Sequence, residues 1–291
     1  LESLKWPKNP KVIFTSVGYH NDEIFKLYTA NLAEKGSTYI VGQHGANYFT
    51  NKNTVIEPGF DQSDKFFSWG NIKKDKCESL FNIKNISLSK SNTRGNKVFF
   101  FMPKMSNIRK RPWDDYGQMI KENISIEKIL FNLRKEIKNS CILKLHFNDY
   151  DSGQLENKIL KEIIFHRQIY SIDRTSKNKE IFKKSKLIVN SGDGTSFLET
   201  ITANIPTVAF LSNFNWMTEE AKQDYEKLIE AKIIFLNEEK MSNHINNIFQ
   251  DIGNWWQNEK TEKIKNEFKK KYTLSPPNNS LKILSKKILE N

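Results

Sequence analysis

The sequence contains only two cysteines, Cys77 and Cys141, among its 291 residues. That number excludes a disulfide-built secreted scaffold and a cysteine-based zinc cluster, and we expect two idle thiols in a reducing cytoplasm. The apolar runs are also short: the runs at 98–102 and 207–211 fall far short of the ~20 residues that a membrane-spanning helix needs. Phosphate-binding loops of the Gly-Lys-Ser/Thr type, the third glycine of a dinucleotide fingerprint and the Gly-x-Ser-x-Gly elbow of hydrolases are missing as well.

The composition that is present belongs to a folded protein with anionic partners. Hydrophobic residues make up 37% and aromatic residues 12% of the chain, which excludes an intrinsically disordered protein. The net charge is +12, and it comes mostly from lysines spread along the whole sequence. Such a charge favours nucleotides, phosphorylated lipids, anionic membranes or nucleic acid as partners, but it does not choose among them.

Strands alternate with helices in two series, which predicts parallel sheets covered on both faces. The first series has a strand at 11–16, a helix after Asp22 and further strands near 39–41 and 63–71. The second begins with the strand at 97–103 and continues to a helix at 238–251. We therefore predict an α/β protein with two Rossmann-like doubly wound domains. The predicted segments are a small or incomplete N-terminal domain at 1–72, a connection at 73–95, a C-terminal domain at 96–255, and a helix and tail at 256–291.

Ligands of such sheets bind outside the carboxyl ends of the strands, and one of these ends carries an unusual loop. The strand at 187–190 is followed by Ser191-Gly192-Asp193-Gly194-Thr195-Ser196, where a helix begins. Amides at a helix start suit a phosphate, and glycines let it approach the backbone. The three hydroxyls can donate hydrogen bonds, and Glu199 can accept from ribose hydroxyls. The alternative is a plain tight turn with a hydroxyl cap.

Two other strand ends carry basic side chains. Lys144 and His146 stand at i and i+2, so they share one face of their strand and can neutralise a phosphate; the alternative is an ordinary half-exposed edge. Gln43, His44 and Gly45 follow the strand that ends near Val41. A histidine at a strand exit can act as a general base or donate to a phosphate, or it can simply pack or cap.

Evidence for a metal in the sequence is weak. Acidic pairs at 114–115 and 149–151 resemble the carboxylates that hold a divalent metal on nucleotide-sugar phosphates, but such pairs are common by chance. His20, His166 and His244 show no metal-ligand spacing with one another or with a cysteine. We therefore expect neither a bound metal nor a cofactor.

Four stretches in fixed order resemble one known family: GQHGANY, SDKFFSWGN, SGDGTSFLETITANIPTVAFLSNFNW and DIGNWW. It is the family of bacterial surface-carbohydrate transferases, which is similar to capsule Kdo transferases and CDP-glycerol glycerophosphotransferases. The resemblance spans most of residues 12–272 and implies a two-domain GT-B glycosyltransferase, with the nucleotide mainly on the C-terminal domain and the acceptor on the N-terminal domain.

The resemblance also implies roles for individual residues. Residues 191–196 would hold the donor phosphate and Glu199 would lie near the ribose. Lys144 and His146 would match the Lys-x-His-Pro stretch of the capsule enzymes, although Phe147 replaces its proline. His44 would lie in the cleft between the domains as base or phosphate ligand. Glu57 and Asp61 are the acidic alternatives for the base.

The expected function is a metal-independent transfer of a sugar, including a Kdo-like acidic sugar, from a nucleotide donor to a surface polysaccharide or a lipid-linked acceptor. Alternatives on the same fold are a polyol-phosphate transferase and a nucleotide-sugar epimerase. Another alternative is a non-catalytic module that binds nucleotides or nucleic acid, although no reader motif supports nucleic acid as a partner. We expect a cytoplasmic protein, with the inner face of the membrane as a place where its lysines can make peripheral contact.

Overall fold

The structure is a computed structural model that describes residues 5–52, 58–86, 95–102, 116–144, 172–173 and 175–290. The chain forms two compact units, Leu1–Ile86 together with Phe268–Asn291, and Ser87–Glu267. Each unit has a parallel sheet with helices, which confirms the predicted fold class. The division differs from the predicted segments, because residues 73–86 belong to the first unit and residues 256–291 are shared between the two units.

The described strands and helices are numbered here in chain order. The strands are β1 Val12–Thr15, β2 Thr38–Gly42, β3 Lys65–Ser68, β4 Cys77–Ser79, β5 Lys97–Phe101, β6 Cys141–Lys144, β7 Ile172–Asp173, β8 Ser185–Asn190, β9 Thr207–Phe210 and β10 Ile234–Phe235. The helices are α1 Gly18–Asn21, α2 Glu23–Glu34, α3 Pro58–Asp61, α4 Tyr116–Asn132, α5 Lys135–Lys138, α6 Asn178–Lys184, α7 Thr195–Thr202, α8 Glu219–Glu230, α9 Glu238–Ile248, α10 Ile252–Trp256, α11 Glu259–Tyr272 and α12 Ser280–Leu289.

The sheet of the first unit has four parallel strands in the order β1-β2-β3-β4. Helix α2 has the start and end signals that its sequence predicts. The Asp22 carboxylate accepts from the Phe25 amide at the start of the helix, and Gly36 adopts a φ of +94° just after the helix ends. A left-handed residue at that place terminates a helix, and glycine adopts it without strain. Strand β4 is short and lies in the lysine-rich stretch that was predicted to be a connection.

The C-terminal residues belong to the first unit because they cover one face of its sheet. Ile40 and Phe67 point to that face and pack with Leu274 and with three apolar residues of α12, namely Ile283, Leu284 and Ile288. The Leu274 amide also donates to the carbonyl of Trp69 at 2.7 Å. The opposite face is covered by α1 and α2 through Tyr19 and Leu32.

The sheet of the second unit has six parallel strands in the order β10-β9-β8-β5-β6-β7. From β5 the chain proceeds outward through β6 and β7, and then returns to the other side of β5 to add β8, β9 and β10. The strand order therefore reverses between β5 and β8. In doubly wound sheets this reversal opens a crevice at the carboxyl ends of the two strands, where ligands bind.

Candidate functional site

The glycine loop, defined as Ser191–Gly194, leaves β8 at this reversal and leads directly into α7. The Ser191 amide donates to the carbonyl of Phe101 at the end of β5, at 3.3 Å. A Cβ atom placed on Gly192 or on Gly194 would meet no atom of the described residues within 4 Å. Gly194 is also the N-cap of α7, and as a glycine it has no side chain to cap that helix. Among the described residues, nothing fills the glycine side of the helix start.

The hydroxyl of Ser196 is used inside the protein. Ser196 Oγ donates to Asn190 Oδ1 at 2.6 Å, and Asn190 Nδ2 donates to Thr207 Oγ1 at 2.9 Å. This chain of hydrogen bonds joins the first turn of α7 to the last residue of β8 and the first residue of β9. Ser191 is buried and Thr195 is partly exposed. The donor-binding roles of these three hydroxyls stay predictions, and Ser196 has a structural role besides.

The Asp193 side chain turns into the protein. Its carboxylate accepts a hydrogen bond from the Tyr225 hydroxyl of α8 at 2.7 Å, and the residue is only 7% exposed. Burial raises the pKa of Asp193 to about 6, although the hydrogen bond from Tyr225 acts to lower it. The sequence predicted a donor contact for this residue, whereas the structure gives its carboxylate to α8.

Glu199 lies on α7, one turn beyond the glycine loop, as predicted. Its Oε2 atom accepts from Asn178 Nδ2 at 2.6 Å, and the side chain is buried. Asn178 is the first residue of α6. The hydrogen bond ties α7 to the start of α6, and the predicted contact of Glu199 with a ribose stays a prediction.

Lys144 ends β6 and lies beside Asp173 at the end of the neighbouring β7. Lys144 Nζ is 3.6 Å from Asp173 Oδ1, and Lys144 is 9% exposed. Burial acts to raise the pKa of Asp173, but hydrogen bonds from Ser176 and the charge of Lys144 hold it below its usual range. The lysine that was predicted to neutralise a phosphate already has an anionic partner. His146 lies outside the described residues.

In the first unit, Gln43 fixes the loop that follows β2. Its Nε2 atom donates to the carbonyl of Gly45 at 2.8 Å, and its Oε1 atom accepts from the amide of Trp69 at 2.8 Å. Both ends of the amide are thus used to hold this loop against the residue that follows β3. Gln43 therefore acts on His44, its neighbour in the chain, by fixing the backbone on either side of it.

His20 is a candidate functional residue that the sequence pattern did not identify. Its ring lies edge to face with the ring of His44, with centroids 5.3 Å apart, and the two residues are called the histidine pair below. His20 also stacks on Tyr19 at 4.1 Å, and Tyr19 is fixed by a 2.7 Å bond between its hydroxyl and that of Tyr48. The position of His20 in the sequence could have identified it. His20 follows β1 and His44 follows β2, and the carboxyl ends of these neighbouring parallel strands meet at one edge of the sheet.

The backbone after the histidine pair is strained. Asn47 and Phe49 have φ angles of 73° and 65°. Asparagine tolerates this left-handed conformation, but for a bulky side chain it is unfavourable. Phe49 is held there by edge-to-face contacts with Phe60 and Phe66, each at 5.7 Å. Strained residues that packing maintains are concentrated at functional sites.

Of the two predicted acidic alternatives for the base, the structure describes only Asp61. Asp61 is exposed at the end of α3, and its carbonyl accepts from Lys76 Nζ at 2.8 Å. The role of Asp61 as the base stays a prediction. Glu57 lies outside the described residues.

The described residues contain neither a metal-binding cluster nor a membrane-spanning helix. No group of three or more His, Cys, Asp and Glu side chains in that part of the chain could hold a metal ion. The acidic pairs at 114–115 and 149–151 lie outside it. Nor does any helix within the described ranges have the length and apolarity needed to cross a membrane.

Comparisons with known proteins agree with this architecture. MnaA of S. aureus, solved with UDP, superposes with a TM-score of 0.52 at 10% identity, over 95% of this chain and 74% of that one. A glycosyltransferase of Rickettsia africae ESF-5 gives 0.52 at 16% identity, over 97% and 77%. HepE of Anabaena, solved with UDP-glucose, gives 0.51 at 11% identity, over 95% and 79%. At these identities the likeness shows the fold alone.

The sequence comparisons are more specific about the family. No protein of curated function matches the sequence. The sequence model of the LIC12162 family of transferases, however, matches residues 2–288. That range includes both sheets, the glycine loop and the histidine pair. The chain therefore belongs to the LIC12162 family of transferases.

Proposed function

We propose that the protein is a glycosyltransferase that moves a sugar from a nucleotide donor to a surface polysaccharide or a lipid-linked acceptor. A Kdo-like acidic sugar is included among the candidate donors. The membership in a transferase family favours transfer over epimerisation and over a module that only binds. A polyol-phosphate transferase would use the same phosphate site, and the assay described below separates the two.

One observation carries the proposal: the glycine loop lies at the strand-order reversal of a doubly wound sheet, and it leads into a helix whose N-cap is a glycine with no described atom in front of it. A helix start carries about half a positive charge, so it can bind the donor phosphate and stabilise it as it leaves. UDP and UDP-glucose in the structures of MnaA and HepE support a nucleotide as donor. Since Lys144 is paired with Asp173, the proposal gives the larger share of phosphate binding to the helix start.

In the proposed reaction an acceptor hydroxyl oxygen attacks the anomeric carbon of the sugar. The bond between that carbon and the donor phosphate oxygen breaks, and the phosphate takes the electron pair. We assign the hydroxyl proton to His44, whose loop is fixed by Gln43 and whose ring contacts His20. A positioned general base contributes about a hundredfold to ten-thousandfold in rate.

The donor part is tested by thermal shift with CMP, CDP, UDP, GDP and their sugars, each with and without EDTA. A ligand at a hundred times its Kd stabilises the native state by about 2.7 kcal/mol. We expect one nucleotide to raise the Tm regardless of EDTA. A strict metal requirement would instead favour the acidic pairs, and no shift with any nucleotide would refute a nucleotide donor.

The variant Gly192→Ala tests whether the nucleotide binds at the glycine loop. Its Cβ meets no described protein atom within 4 Å, so the substitution should leave the Tm unchanged or slightly raised. The same methyl group would occupy the space we assign to the phosphate, so nucleotide affinity should fall at least about tenfold, which isothermal titration measures. An affinity equal to wild type would place the nucleotide elsewhere.

The acceptor part is tested by His44→Ala. Turnover in a radiolabelled sugar-transfer assay should fall by about 10² to 10⁴, while nucleotide affinity stays within about twofold of wild type. Product analysis in the same assay shows whether a sugar or a polyol phosphate was transferred. Unchanged turnover would remove His44 from the mechanism without affecting the donor assignment.

A further inference from the structure

The Asp193 carboxylate lies at the centre of the glycine loop but points into the protein. It is 7% exposed, and its hydrogen-bond partner Tyr225 is 1% exposed. The two glycines on either side of it are open. A carboxylate that faced a bound phosphate would repel it, and the inward position keeps this charge away from the open side. The geometry therefore argues against a direct contact between the Asp193 carboxylate and the donor.

Tyr225 is a firm anchor for that carboxylate. Its ring packs edge to face against Phe214, with centroids 6.2 Å apart, and it lies in the middle of α8. The Thr218 hydroxyl caps that helix by accepting from the Ala221 amide at 3.2 Å. A hydrogen bond to a charged acceptor is also stronger than one between neutral groups.

The bond to Tyr225 lies between two other ties made by residues 191–196. The first joins the Ser191 amide to Phe101, and the last joins the Ser196 hydroxyl to Asn190. Between these two ties lie two glycines, which have more backbone freedom than other residues. Without the bond to Tyr225, the Asp193 side chain would no longer link the middle of the loop to α8.

We propose that Asp193 is a positioning residue that holds the glycine loop, through Tyr225, in the conformation that binds the donor phosphate. The inference rests on the proposed function, because it assigns nucleotide binding to the glycine loop. A loop that spends about a tenth of its time in the binding conformation shows a Kd about tenfold weaker. We expect a loss of this size when the tie is removed.

The test uses the full chain and the nucleotide that wild type binds most tightly among CMP, CDP, UDP and GDP. Titration calorimetry of Tyr225→Phe and Asp193→Ala should each give a Kd about tenfold weaker. Asp193→Asn should stay near wild type, because its amide oxygen still accepts from Tyr225. The double variant of Asp193→Ala and Tyr225→Phe should be no weaker than either single variant.

A matched control is Tyr28→Phe, which removes a tyrosine hydrogen bond of 2.7 Å, to the carbonyl of Pro7, in the first unit. Its nucleotide Kd should equal that of wild type. An Asp193→Asn variant as weak as Asp193→Ala would overturn the inference, since the charge itself would then be required. A Tyr225→Phe variant with the wild-type Kd would overturn it too. If Tyr225→Phe does not fold, the two Asp193 variants decide.

Hydrogen exchange separates this inference from the proposed function. In the nucleotide-free protein, the amides of residues 191–196 should exchange faster in Tyr225→Phe than in wild type or in Tyr28→Phe. Equal exchange rates would refute the positioning role even if nucleotides bind. A wild type that binds none of the four nucleotides would refute the proposed function, and the exchange rates would still decide whether Tyr225 holds the loop.

Discussion

Replacing His244 by leucine should change how the stability of the protein depends on pH. The imidazole lies on α9 between the rings of Phe235 and Trp255, at centroid distances of 5.3 and 4.9 Å. Its Nε2 atom is buried and has no hydrogen-bond partner among the described residues. Burial, with the charge of Lys232 as a smaller cause, lowers the pKa of His244 from 6.5 to about 4.

The sign and size of the effect follow from proton linkage. Between pH 6.5 and about 4 the unfolded chain binds a proton at His244 and the folded protein does not, so wild type loses stability as the pH falls. Each pKa unit corresponds to 1.36 kcal/mol, which gives about 3 kcal/mol over this interval. Above about pH 7 the residue contributes a constant amount, and below about pH 4 the loss is complete.

The assay is urea unfolding of wild type and His244→Leu at intervals from pH 7.5 to pH 4. The quantity of interest is the difference between the two free energies of unfolding. Asp193 acts in the opposite direction, because its raised pKa of about 6 favours the folded state as the pH falls, but it is present in both proteins and cancels in the difference. A difference that stays flat from pH 7 to pH 4.5 would refute a buried neutral imidazole.

Two further substitutions test the packing. Gly70→Ala would place its Cβ 2.0 Å from the carbonyl oxygen of Lys271, and it should lower the free energy of unfolding by about 3 kcal/mol or more. Gly192→Ala, which has open space at its Cβ, is the control. Equal urea midpoints for the two variants would contradict this expectation. Lys265→Met removes a buried ammonium that contacts the side chains of Asn204 and Glu262 and the carbonyl of Trp256. It should cost about 3 kcal/mol in urea unfolding, whereas Lys260→Met, at an exposed ion pair on the same helix, should cost under about 1 kcal/mol.

The alternation of apolar runs and capped helices was sufficient to predict two parallel-sheet units and the place of the glycine loop. The two units were predictable because strands and helices have local periodicity. The loop was predictable because two glycines stand between a strand and a helix. The membership of residues 268–291 in the first unit was not readable, since it depends on contacts of Leu274 and α12 with strands more than two hundred residues earlier.

The sequence also did not indicate in which direction the side chains of the candidate sites point. In a Gly-Asp-Gly sequence nothing indicates whether the aspartate faces a ligand or the interior, and the partner that decides it, Tyr225, comes from another helix. Likewise Lys144 meets Asp173 only because β6 and β7 are neighbours in register. The histidine pair forms because β1 and β2 are neighbours in the sheet. The local sequence around His20 does not indicate this adjacency.

The chain leaves the first unit at Ile86 and re-enters it at Phe268, so the second unit is inserted into the first. The ribosome synthesises the whole inserted sequence before it makes residues 268–291, which cover one face of the first sheet. Domains generally fold as units while the chain emerges. The N-terminal sheet, although translated first, therefore cannot complete its core until residues 268–291 have emerged from the ribosome.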